Sequence, residues 1–543
     1  MKHRAVKRRS VVIGIGATAG VAAVGGIALS AQASTGTSAS GPGTLTFDPE
    51  AYTKKTITIT TADGSEKDVV YHFWAPITYV TSPVDTDHQT LVVSVPVEID
   101  GKAVDASNAP IVFANEVGGY FPATVKDATG VGQATMEMSG GAPPAGGASG
   151  APSGLPSTGA SPGDDGSAND MTDAAGGRVS LPQLALAAGF VVVEPGCRGR
   201  TLTDSAGNYY GTAPAAIVDL KAAVRYIRFN KGRIPGNTER IVSTGTSAGG
   251  ALSALLGASG DSRIYDKYLK AAGAADASDA IFASADWCPI TDLEHADGAY
   301  EYCWGTSVTQ TTGKGVDQTV SKDLRTLFAE HQAALKLRGL NGFGALTARN
   351  YDQYLLTTYL QPAATTYLAS LSDSARTTYL AKNTFITWKG GRATFTWDDY
   401  VTHVGARKKD APAFDAFDLS AGENNEFGKD TTEARHFTAY GLEHDTTGLG
   451  AKRLDSDIPE KLNLMNPMYH IGRENPGRAR HWWLRVGTND TDSSPVIVAN
   501  LAAALHGLGD DVNSLMYWDQ GHGSNTDPGD FIAWISKVSG HRK

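Results

Sequence analysis

The serine at position 247 lies in a Gly-x-Ser-x-Gly motif that spans residues 245–249. A β-rich run, Arg240–Ser243, precedes the motif, and an Ala/Leu-rich helical run follows from Gly250 to about Leu255. A serine in a tight turn between a strand and a helix has its hydroxyl lifted out of the sheet, where it is exposed for nucleophilic attack. Side chains at the two glycine positions would collide with neighbouring strands. The context therefore favours Ser247 as a nucleophile over the alternative, a serine that merely begins a helix.

A serine hydroxyl needs a base to take its proton, and in this kind of site the acid and the histidine follow the serine along the chain. His522 comes just after the last predicted strand, 514–518, on a glycine-flanked loop. Asp490 directly follows the predicted strand Trp482–Val486. We predict His522 as the base and Asp490 as the carboxylate that orients its ring. Asp492 could replace Asp490, and the alternative for His522 is an ordinary turn histidine.

A nucleophilic serine also needs backbone donors for the oxyanion that forms on the attacked carbonyl. The N–H of Ala248 is one candidate, because it opens the helix after Ser247 and lies at the positive end of the helix dipole. The loop after the predicted strand Ile111–Ala114 contains paired glycines and could supply the second donor. Gly119 or Tyr120 is the predicted donor, and an ordinary glycine turn is the alternative.

The elements around Ser247 alternate between strand and helix. Phe190–Val193 reads as a buried strand, and the next helix repeats apolar residues at Ile217, Leu220, Val224 and Ile227. Such alternation predicts an α/β fold with a parallel sheet and crossover helices. Residues 289–480 break the pattern and are rich in Tyr, Thr and Trp, which predicts an inserted cap domain. The core would then comprise residues 45–288 and 481–543.

The amino terminus has the composition of an export signal. Basic residues that include a twin-arginine pair precede an apolar Gly/Ala-rich run, and a small-residue cleavage pattern ends it near residue 33. We predict a signal peptide over 1–33, a flexible tail over 34–44 and a secreted protein without stable membrane association. An uncut membrane anchor is the alternative. Residues 133–177 are dominated by Gly, Ala, Ser and Pro, which predicts a disordered insertion.

The composition excludes some functions and leaves others open. The 543-residue chain carries a formal net charge of -10, with 57 acidic and 47 basic residues, so we expect no nucleic-acid partner. No Cys/His cluster has metal-ligand spacing, and we predict no metal and no cofactor. The three cysteines are Cys197, Cys288 and Cys303. They allow two alternatives: a disulfide between Cys288 and Cys303, or three buried thiols without a disulfide. The oligomeric state is left open.

Several motifs together resemble those of bacterial tannases (tannin acyl hydrolases), a feruloyl-esterase-like family of the α/β-hydrolase superfamily. The resemblance runs from about residue 70 to the carboxyl terminus and is interrupted by the low-complexity insertion. It rests on Gly-Thr-Ser-Ala-Gly-Gly at 245–250, Pro-Gly-Cys-Arg-Gly-Arg at 195–200, Cys-Pro-Ile-Thr-Asp-Leu at 288–293, Gly-Thr-Asn-Asp-Thr-Asp at 487–492 and the late His522. It implies an α/β-hydrolase fold with a large inserted cap and matches the family triad to Ser247, Asp490 and His522.

The resemblance also implies residues that hold a galloyl ring. The family aspartate matches Asp492, and the lysine and glutamate match Lys409 and Glu423, with Lys408 as a possible register shift. Carboxylates accept hydrogen bonds from phenol hydroxyls, and an ammonium donates to an oxygen lone pair, so the three residue types suit the ring. The alternative for Lys409 and Glu423 is a solvated charged face of the cap.

The implied activity is hydrolysis of galloyl esters, with a small aromatic ester as the partner molecule. A feruloyl or other aromatic or short-chain esterase with the same triad is a close alternative. An acyl-peptidase is less favoured, because the sequence lacks the propeller-like repeats that many such peptidases carry. A binding protein with an inactive triad is also less favoured, because all three triad residue types are present in order.

Overall fold

The computed structural model describes residues 44–138, 170–172 and 177–541. Nine strands lie side by side in its central sheet, and the short strand Lys102–Ala103 attaches to one of them. In chain order they are β1 (Tyr52–Thr60), β2 (Glu66–Thr78), β3 (Thr90–Ile99), β4 (Pro110–Ala114), β5 (Val191–Pro195), β6 (Asn237–Thr246), β7 (Ala283–Trp287), β8 (His481–Gly487) and β9 (Asp511–Tyr517). Their order across the sheet is β1-β2-β3-β5-β4-β6-β7-β8-β9. The first three are antiparallel, and β5 is antiparallel to β3. All neighbours from β5 to β9 are parallel.

Helices connect and cover the strands. In chain order they are α1 (Leu181–Ala187), α2 (Ala215–Phe229), α3 (Ala248–Ala258), α4 (Asp266–Ala272), α5 (Leu293–Trp304), α6 (Gln318–Leu335), α7 (Tyr351–Leu355), α8 (Gln361–Ser370), α9 (Asp373–Lys382), α10 (Trp397–Val404), α11 (Gly422–Glu426), α12 (Ala439–Glu443), α13 (Ile458–Met465), α14 (Pro467–Ile471), α15 (Pro495–Gly507) and α16 (Pro528–Ser539). A π-helical turn, Leu356–Leu360, joins α7 to α8. The four apolar residues that predicted α2 are all buried, as an amphipathic helix on a sheet requires.

The middle of the sheet is buried on both faces. Val191, Val192 and Val193 in β5 are each fully buried, which is the pattern of a parallel strand covered by helices on both sides. The sequence did not predict β7, because Ser284 and Asp286 interrupt its apolar run. Both polar side chains are nevertheless buried in the structure, where Ser284 Oγ donates to Asp286 Oδ1 at 2.7 Å.

The chain between β7 and β8 forms the helices α5–α14 and two short hairpins. This segment contacts the loops that follow β8 and β9. The Tyr400 hydroxyl donates to the Thr488 carbonyl at 2.7 Å, and His403 Nε2 lies 2.5 Å from Asp519 Oδ1. The inserted helices are therefore fixed to the edge of the sheet where the strands end.

Several predictions fall outside the described residues: the export signal over 1–33, the tail except residue 44, and most of the insertion over 133–177. The described ends of that insertion are not disordered. Thr135–Met136 pairs with Ala123–Thr124, and Asp170–Thr172 pairs with Arg178–Ser180, because their backbone groups join antiparallel ladders. The prediction of disorder was therefore wrong at both ends. Among the described helices, none is long and apolar enough to cross a bilayer.

The three cysteines are buried free thiols. Cys303 Sγ accepts a hydrogen bond from Ser494 Oγ at 3.3 Å, and Cys288 Sγ lies 3.8 Å from His522 Nε2. Of the two alternatives left by the sequence, the structure has three thiols rather than a disulfide between Cys288 and Cys303.

Candidate active site

The predicted site residues follow the carboxyl ends of adjacent parallel strands. Ser247 follows β6, Asp490 follows β8, and His522 follows β9. The intervening strand β7 is followed by Cys288. Parallel strands end at one edge of a sheet, and in α/β folds this edge is where sites form. The register therefore brings together residues that lie up to 275 positions apart in the sequence.

Ser247 occupies a strained turn between β6 and α3. Its backbone has φ 58° and ψ −122°, and its N–H donates to the Trp287 carbonyl at 2.9 Å. A Cβ at Gly245 would lie 2.2 Å from the Gly249 carbonyl oxygen, and one at Gly249 would lie 2.5 Å from that of Val117. Only glycine fits at either position. Strain of this kind at a nucleophile is the geometry that the motif predicted.

Asp490 is fully buried and has four hydrogen-bond donors around its carboxylate. Its Oδ2 accepts from His522 Nδ1 at 2.8 Å and from Ser493 Oγ at 3.0 Å. Its Oδ1 accepts from the backbone N–H groups of Asp492 and Ser493 at 2.9 and 3.1 Å. These contacts favour the ionised carboxylate and fix the imidazole with Nε2 as the nitrogen that faces away from Asp490.

The aspartate and the histidine shift each other's protonation. Burial works against the charged form of Asp490, but His522 outweighs burial and lowers the pKa of this carboxyl. Burial also disfavours the charged imidazole, but the Asp490 carboxylate and, after it, Cys288 outweigh burial and raise the pKa of His522 well above 6.5. An imidazolium formed at this position is therefore stabilised, as a general base requires once it has taken a proton.

His522 Nε2 faces the thiol of Cys288 at 3.8 Å, and no hydrogen bond among the described residues joins it to Ser247 Oγ. The histidine loop nevertheless lies against the serine turn, since a Cβ at Gly523 would lie 3.9 Å from Thr246 Cγ2. Hydrogen bonds of catalytic groups are often long in a free enzyme and tighten with substrate. From its sequence, Cys288 was predicted to be either half of a disulfide or a buried thiol, with no role beside the histidine. Its contact with His522 depends on β7, which the sequence pattern did not reveal.

The candidate oxyanion donors lie on two segments that are tied together. Ala248 is the first residue of α3, and Gly119 and Tyr120 lie in the loop after β4 with φ of 53° and 58°. Asn115 Nδ2 in that loop donates to the carbonyls of Thr244 and Gly249 at 2.8 and 3.2 Å. Within the described chain, no hydrogen bond uses the backbone N–H of Ala248, Gly119 or Tyr120. None of these three N–H groups is therefore committed to another partner among the described residues.

Arg200 binds the same loop through its side chain and its backbone, and it was not among the predicted site residues. Its Nε donates to the Gly119 carbonyl at 2.7 Å, and its backbone N–H donates to the Tyr120 carbonyl at 2.9 Å. Its Nη1 donates to Asn425 Oδ1 in α11 at 2.7 Å, and its guanidinium carbon lies 4.1 Å from the centre of the Phe121 ring. Arg200 therefore joins the candidate oxyanion loop to the inserted segment. The signal in the sequence was its place in the 195–200 motif.

The predicted galloyl contacts are placed unequally. Lys408 Nζ lies 2.8 Å from Asp492 Oδ2, and both side chains are partly exposed. Lys409 points elsewhere: its Nζ lies 3.9 Å from the centre of the Phe414 ring. The structure therefore brings Lys408 to Asp492 and does not bring Lys409 there.

Glu423 lies at the start of α11, and no hydrogen bond or ion pair among the described residues joins its side chain to Lys408 or Asp492. A Cβ at the preceding Gly422 would lie 3.0 Å from Arg200 Nη2, so this helix end abuts the arginine. Burial, followed by the nearby carboxylates of Glu426 and Glu423, raises the pKa of Tyr120 well above 10. Glu423 is thus electrostatically coupled to the loop that carries the candidate oxyanion donors.

Comparisons with known proteins bear on the family and the fold of the chain. The BD-FAE family model matches residues 167–327. Comparison with curated proteins gave no match.

Solved structures match over most of the chain. The tannase of Fusobacterium nucleatum is 34% identical with a TM-score of 0.74, and the alignment covers 91% of this chain and 99% of that one. The tannin acyl hydrolase of Lactobacillus plantarum is 31% identical with a TM-score of 0.73 and the same coverage. A tannin acyl hydrolase in complex with ethyl gallate matches equally well, at 31% identity and a TM-score of 0.73. These matches confirm the predicted fold class, an α/β-hydrolase core with an inserted cap.

Proposed function

We propose that this chain, which belongs to the tannase family of carboxylic ester hydrolases, cleaves galloyl esters through an acyl-enzyme intermediate on Ser247. The observation that carries the proposal is the hydrogen bond of 2.8 Å between Asp490 and His522 beside the strained serine turn. A buried carboxylate that orients an imidazole next to such a serine suits acyl transfer.

In the acylation half, His522 Nε2 takes the proton of Ser247 Oγ as the oxygen attacks the ester carbonyl. The oxyanion is then stabilised by the N–H of Ala248 and by a second donor, Gly119 or Tyr120. Collapse of the tetrahedral intermediate breaks the bond to the alcohol oxygen, which receives the proton from His522. The products of this half are the free alcohol and a galloyl ester of Ser247.

In the second half, water takes the place of the alcohol. His522 removes a proton from the water, whose oxygen attacks the acyl carbonyl, and the same oxyanion donors stabilise the new intermediate. The bond to Ser247 Oγ then breaks, and His522 returns its proton to the serine. Gallic acid leaves.

For recognition of the ring, we assign Lys408, Asp492 and Glu423. Lys408 replaces Lys409 in this role because its ammonium is the one that reaches Asp492. A polar site that hydrogen-bonds three phenol hydroxyls rejects a ring without them, since its own groups would be left unpaired. Lys409 would instead pack on Phe414 and contribute little to binding.

The test is a comparison of three esters: methyl gallate, methyl ferulate and 4-nitrophenyl acetate. We expect kcat/KM on methyl gallate, divided by kcat/KM on each of the other two esters, to be higher than the same ratio for an esterase without a galloyl site. A higher kcat/KM on methyl ferulate would assign the chain to the feruloyl alternative. Hydrolysis of the acetate alone would leave only a short-chain esterase.

We also propose that the protein is exported through the twin-arginine route. The support is the basic pair at Arg8 and Arg9, which is followed by a glycine-rich apolar run. Substitution of both arginines by lysine is expected to retain the protein in the cell. Unchanged export of that variant would exclude the twin-arginine route.

Arg200→Lys is expected to lower kcat about tenfold or more, with a smaller change in KM. Lysine keeps the charge but cannot hold the Gly119 carbonyl and Asn425 at the same time, so the oxyanion loop loses its support. Because every ester uses the oxyanion donors, methyl gallate and 4-nitrophenyl acetate should lose activity equally.

The matched control for Arg200 is Arg225→Lys, since Arg225 is a partly buried arginine that also bonds through Nε, in its case to the buried carboxylate of Asp279 at 2.8 Å. That variant should change the melting temperature but not kcat. If Arg200→Lys also lowers only the melting temperature, then Arg200 has a structural role alone.

The pH profile should reflect the raised pKa of His522. Below that pKa the imidazole is protonated and cannot accept the serine proton, so kcat/KM should fall as the pH drops through it. The midpoint of this acid limb is expected above 6.5. The substrate of choice is 4-nitrophenyl acetate, because the intact ester has no free phenol; the nitrophenol that it releases is followed at the wavelength where its two ionisation states absorb equally. A midpoint at or below 6.5 would show that Asp490 does not raise the pKa of His522.

A further inference from the structure

A second cluster of titratable side chains lies outside the ester site, between the starts of α5 and α14 and the end of α6. Asp292 Oδ1 lies 2.9 Å from His295 Nδ1, and its Oδ2 lies 3.0 Å from His331 Nε2. One ligand atom from each of the three residues lies within 4.8 Å of the other two. The two imidazole rings are stacked, with centres 3.5 Å apart and planes inclined by 9°.

The three side chains line a small cavity of about 10 Å³. That volume is about what one water-sized sphere occupies. Thr291 and Asn500 also line the cavity. The His295 side chain is 36% exposed, so an ion can reach the cluster from solvent.

The arrangement differs from an ordinary buried ion pair. His295 and His331 each direct one ring nitrogen at the Asp292 carboxylate, and the faces of the two rings are stacked on each other. Asp292 itself has φ 55°, in the left-handed region, where aspartate is found more often than most residues other than glycine. Asn466 Nδ2 donates to Asp292 Oδ1 at 2.7 Å and fixes the carboxylate further. Outer hydrogen bonds of this kind commonly orient metal-binding carboxylates.

We propose that Asp292, His295 and His331 bind a divalent transition-metal ion of the Zn²⁺ or Co²⁺ type, with water as the fourth ligand. Two imidazoles and a carboxylate are a ligand set that these ions accept. Ligand atoms in a tetrahedral zinc site lie about 3.3 Å apart, given metal–ligand distances of about 2.0–2.1 Å. Each imidazole nitrogen lies 2.9 or 3.0 Å from its own oxygen of the carboxylate, which is close to that spacing. Because a ring nitrogen binds a metal in the plane of its ring, the two stacked rings must turn out of their parallel arrangement for both nitrogens to meet one ion.

The site is separate from the ester chemistry but is connected to it along the chain. Residues 288–292 run from Cys288, whose thiol contacts His522, to Asp292. An ion held by Asp292, α5 and α6 would therefore fix the start of the inserted segment where it leaves the sheet. Its expected effect is on stability, because an ion that binds only the folded state raises the melting temperature.

The experiment uses the full chain after removal of metals with a chelator. Calorimetric titration with Zn²⁺ is expected to give one bound ion per chain with micromolar or tighter affinity and a melting temperature higher by about 3 °C or more. Titration with Co²⁺ is expected to give the visible absorption of a tetrahedral site. His331→Gln and His295→Gln should each weaken binding at least tenfold and abolish the melting shift. His506→Gln, at an exposed histidine on α15, is the matched control and should bind as the unmodified chain does.

Two results would overturn the proposal. The first is the absence of Zn²⁺ and Co²⁺ binding by the unmodified chain at millimolar ion. The second is unchanged binding in His295→Gln, which alters a partly exposed side chain and so should fold even if His331→Gln does not. If the ion that His295→Gln still binds also inhibits ester hydrolysis, its ligands are Cys288, Asp490 and His522 instead.

Discussion

Replacement of Ser247 by alanine is expected to lower ester hydrolysis by a factor on the order of 10⁴ or more, with the fold unchanged. The loss is large because no other group in the proposed mechanism can form the acyl-enzyme. The fold should survive because the structural contact of this residue is its backbone N–H, which bonds to Trp287 in either variant. The measurement is kcat/KM on methyl gallate and on 4-nitrophenyl acetate, with circular dichroism to check folding.

The matched control for Ser247→Ala is Cys288→Ala, because Cys288 is the other nucleophile beside His522. This variant should keep kcat/KM within about tenfold of the unmodified enzyme, since the thiol is outside the serine turn and makes no proposed bond to substrate. A fluorophosphonate probe should label the Cys288→Ala chain but not the Ser247→Ala chain. If the two variants behave in the opposite way, the nucleophile is the thiol and the serine mechanism is wrong.

The sequence was most informative where local pattern and chemistry agree. The glycine spacing around Ser247 predicted a turn, and the structure gives steric reasons for both glycines. Asp490 and His522 were selected because they follow predicted strands, and the parallel sheet brings them within 2.8 Å. Strand ends can be predicted from hydrophobic runs, and parallel strands share an edge, so this part of the site needed no tertiary information.

The failures arose where tertiary packing overrides the local pattern. Strand β7 was missed because Ser284 and Asp286 are buried in spite of their polarity. Burial raises the pKa of Asp286 to about 8, which favours the neutral form of this side chain in a place where no cation of the described chain lies beside it. Because β7 was not predicted, neither the position of Cys288 nor its contact with His522 could be predicted.

The long-range contacts of the cap could not be predicted from the sequence for a different reason. The choice between Lys408 and Lys409 depends on which of two adjacent side chains turns toward Asp492, and the loop that carries them has no periodicity to indicate its faces. Arg200 bridges residues 81 and 225 positions away, Gly119 and Asn425, and no local signal encodes such a bridge. Such contacts become visible only once the inserted segment is placed on the sheet.

Asp492→Asn is expected to lower kcat/KM on methyl gallate by roughly 10- to 150-fold and to leave 4-nitrophenyl acetate nearly unaffected. The range follows from the loss of one charged hydrogen bond, which costs about 1.5–3 kcal/mol. The acetate has no hydroxyl to lose. Asparagine keeps the shape of the side chain, and the bond from residue 492 to Asp490 is made by the backbone N–H, so the triad should keep its geometry.

The two lysines and Glu423 give this prediction its internal controls. Lys408→Met should reproduce the selective loss on methyl gallate, because it removes the ammonium 2.8 Å from Asp492. Lys409→Met should have little effect on either ester, since that ammonium rests on an aromatic ring. Glu423→Gln should also discriminate against the gallate. If Lys409→Met shows the selective loss and Lys408→Met does not, then Lys409 rather than Lys408 contacts the galloyl ring. Equal losses on both esters in every variant would mean that these charges support the triad and do not contact the galloyl hydroxyls.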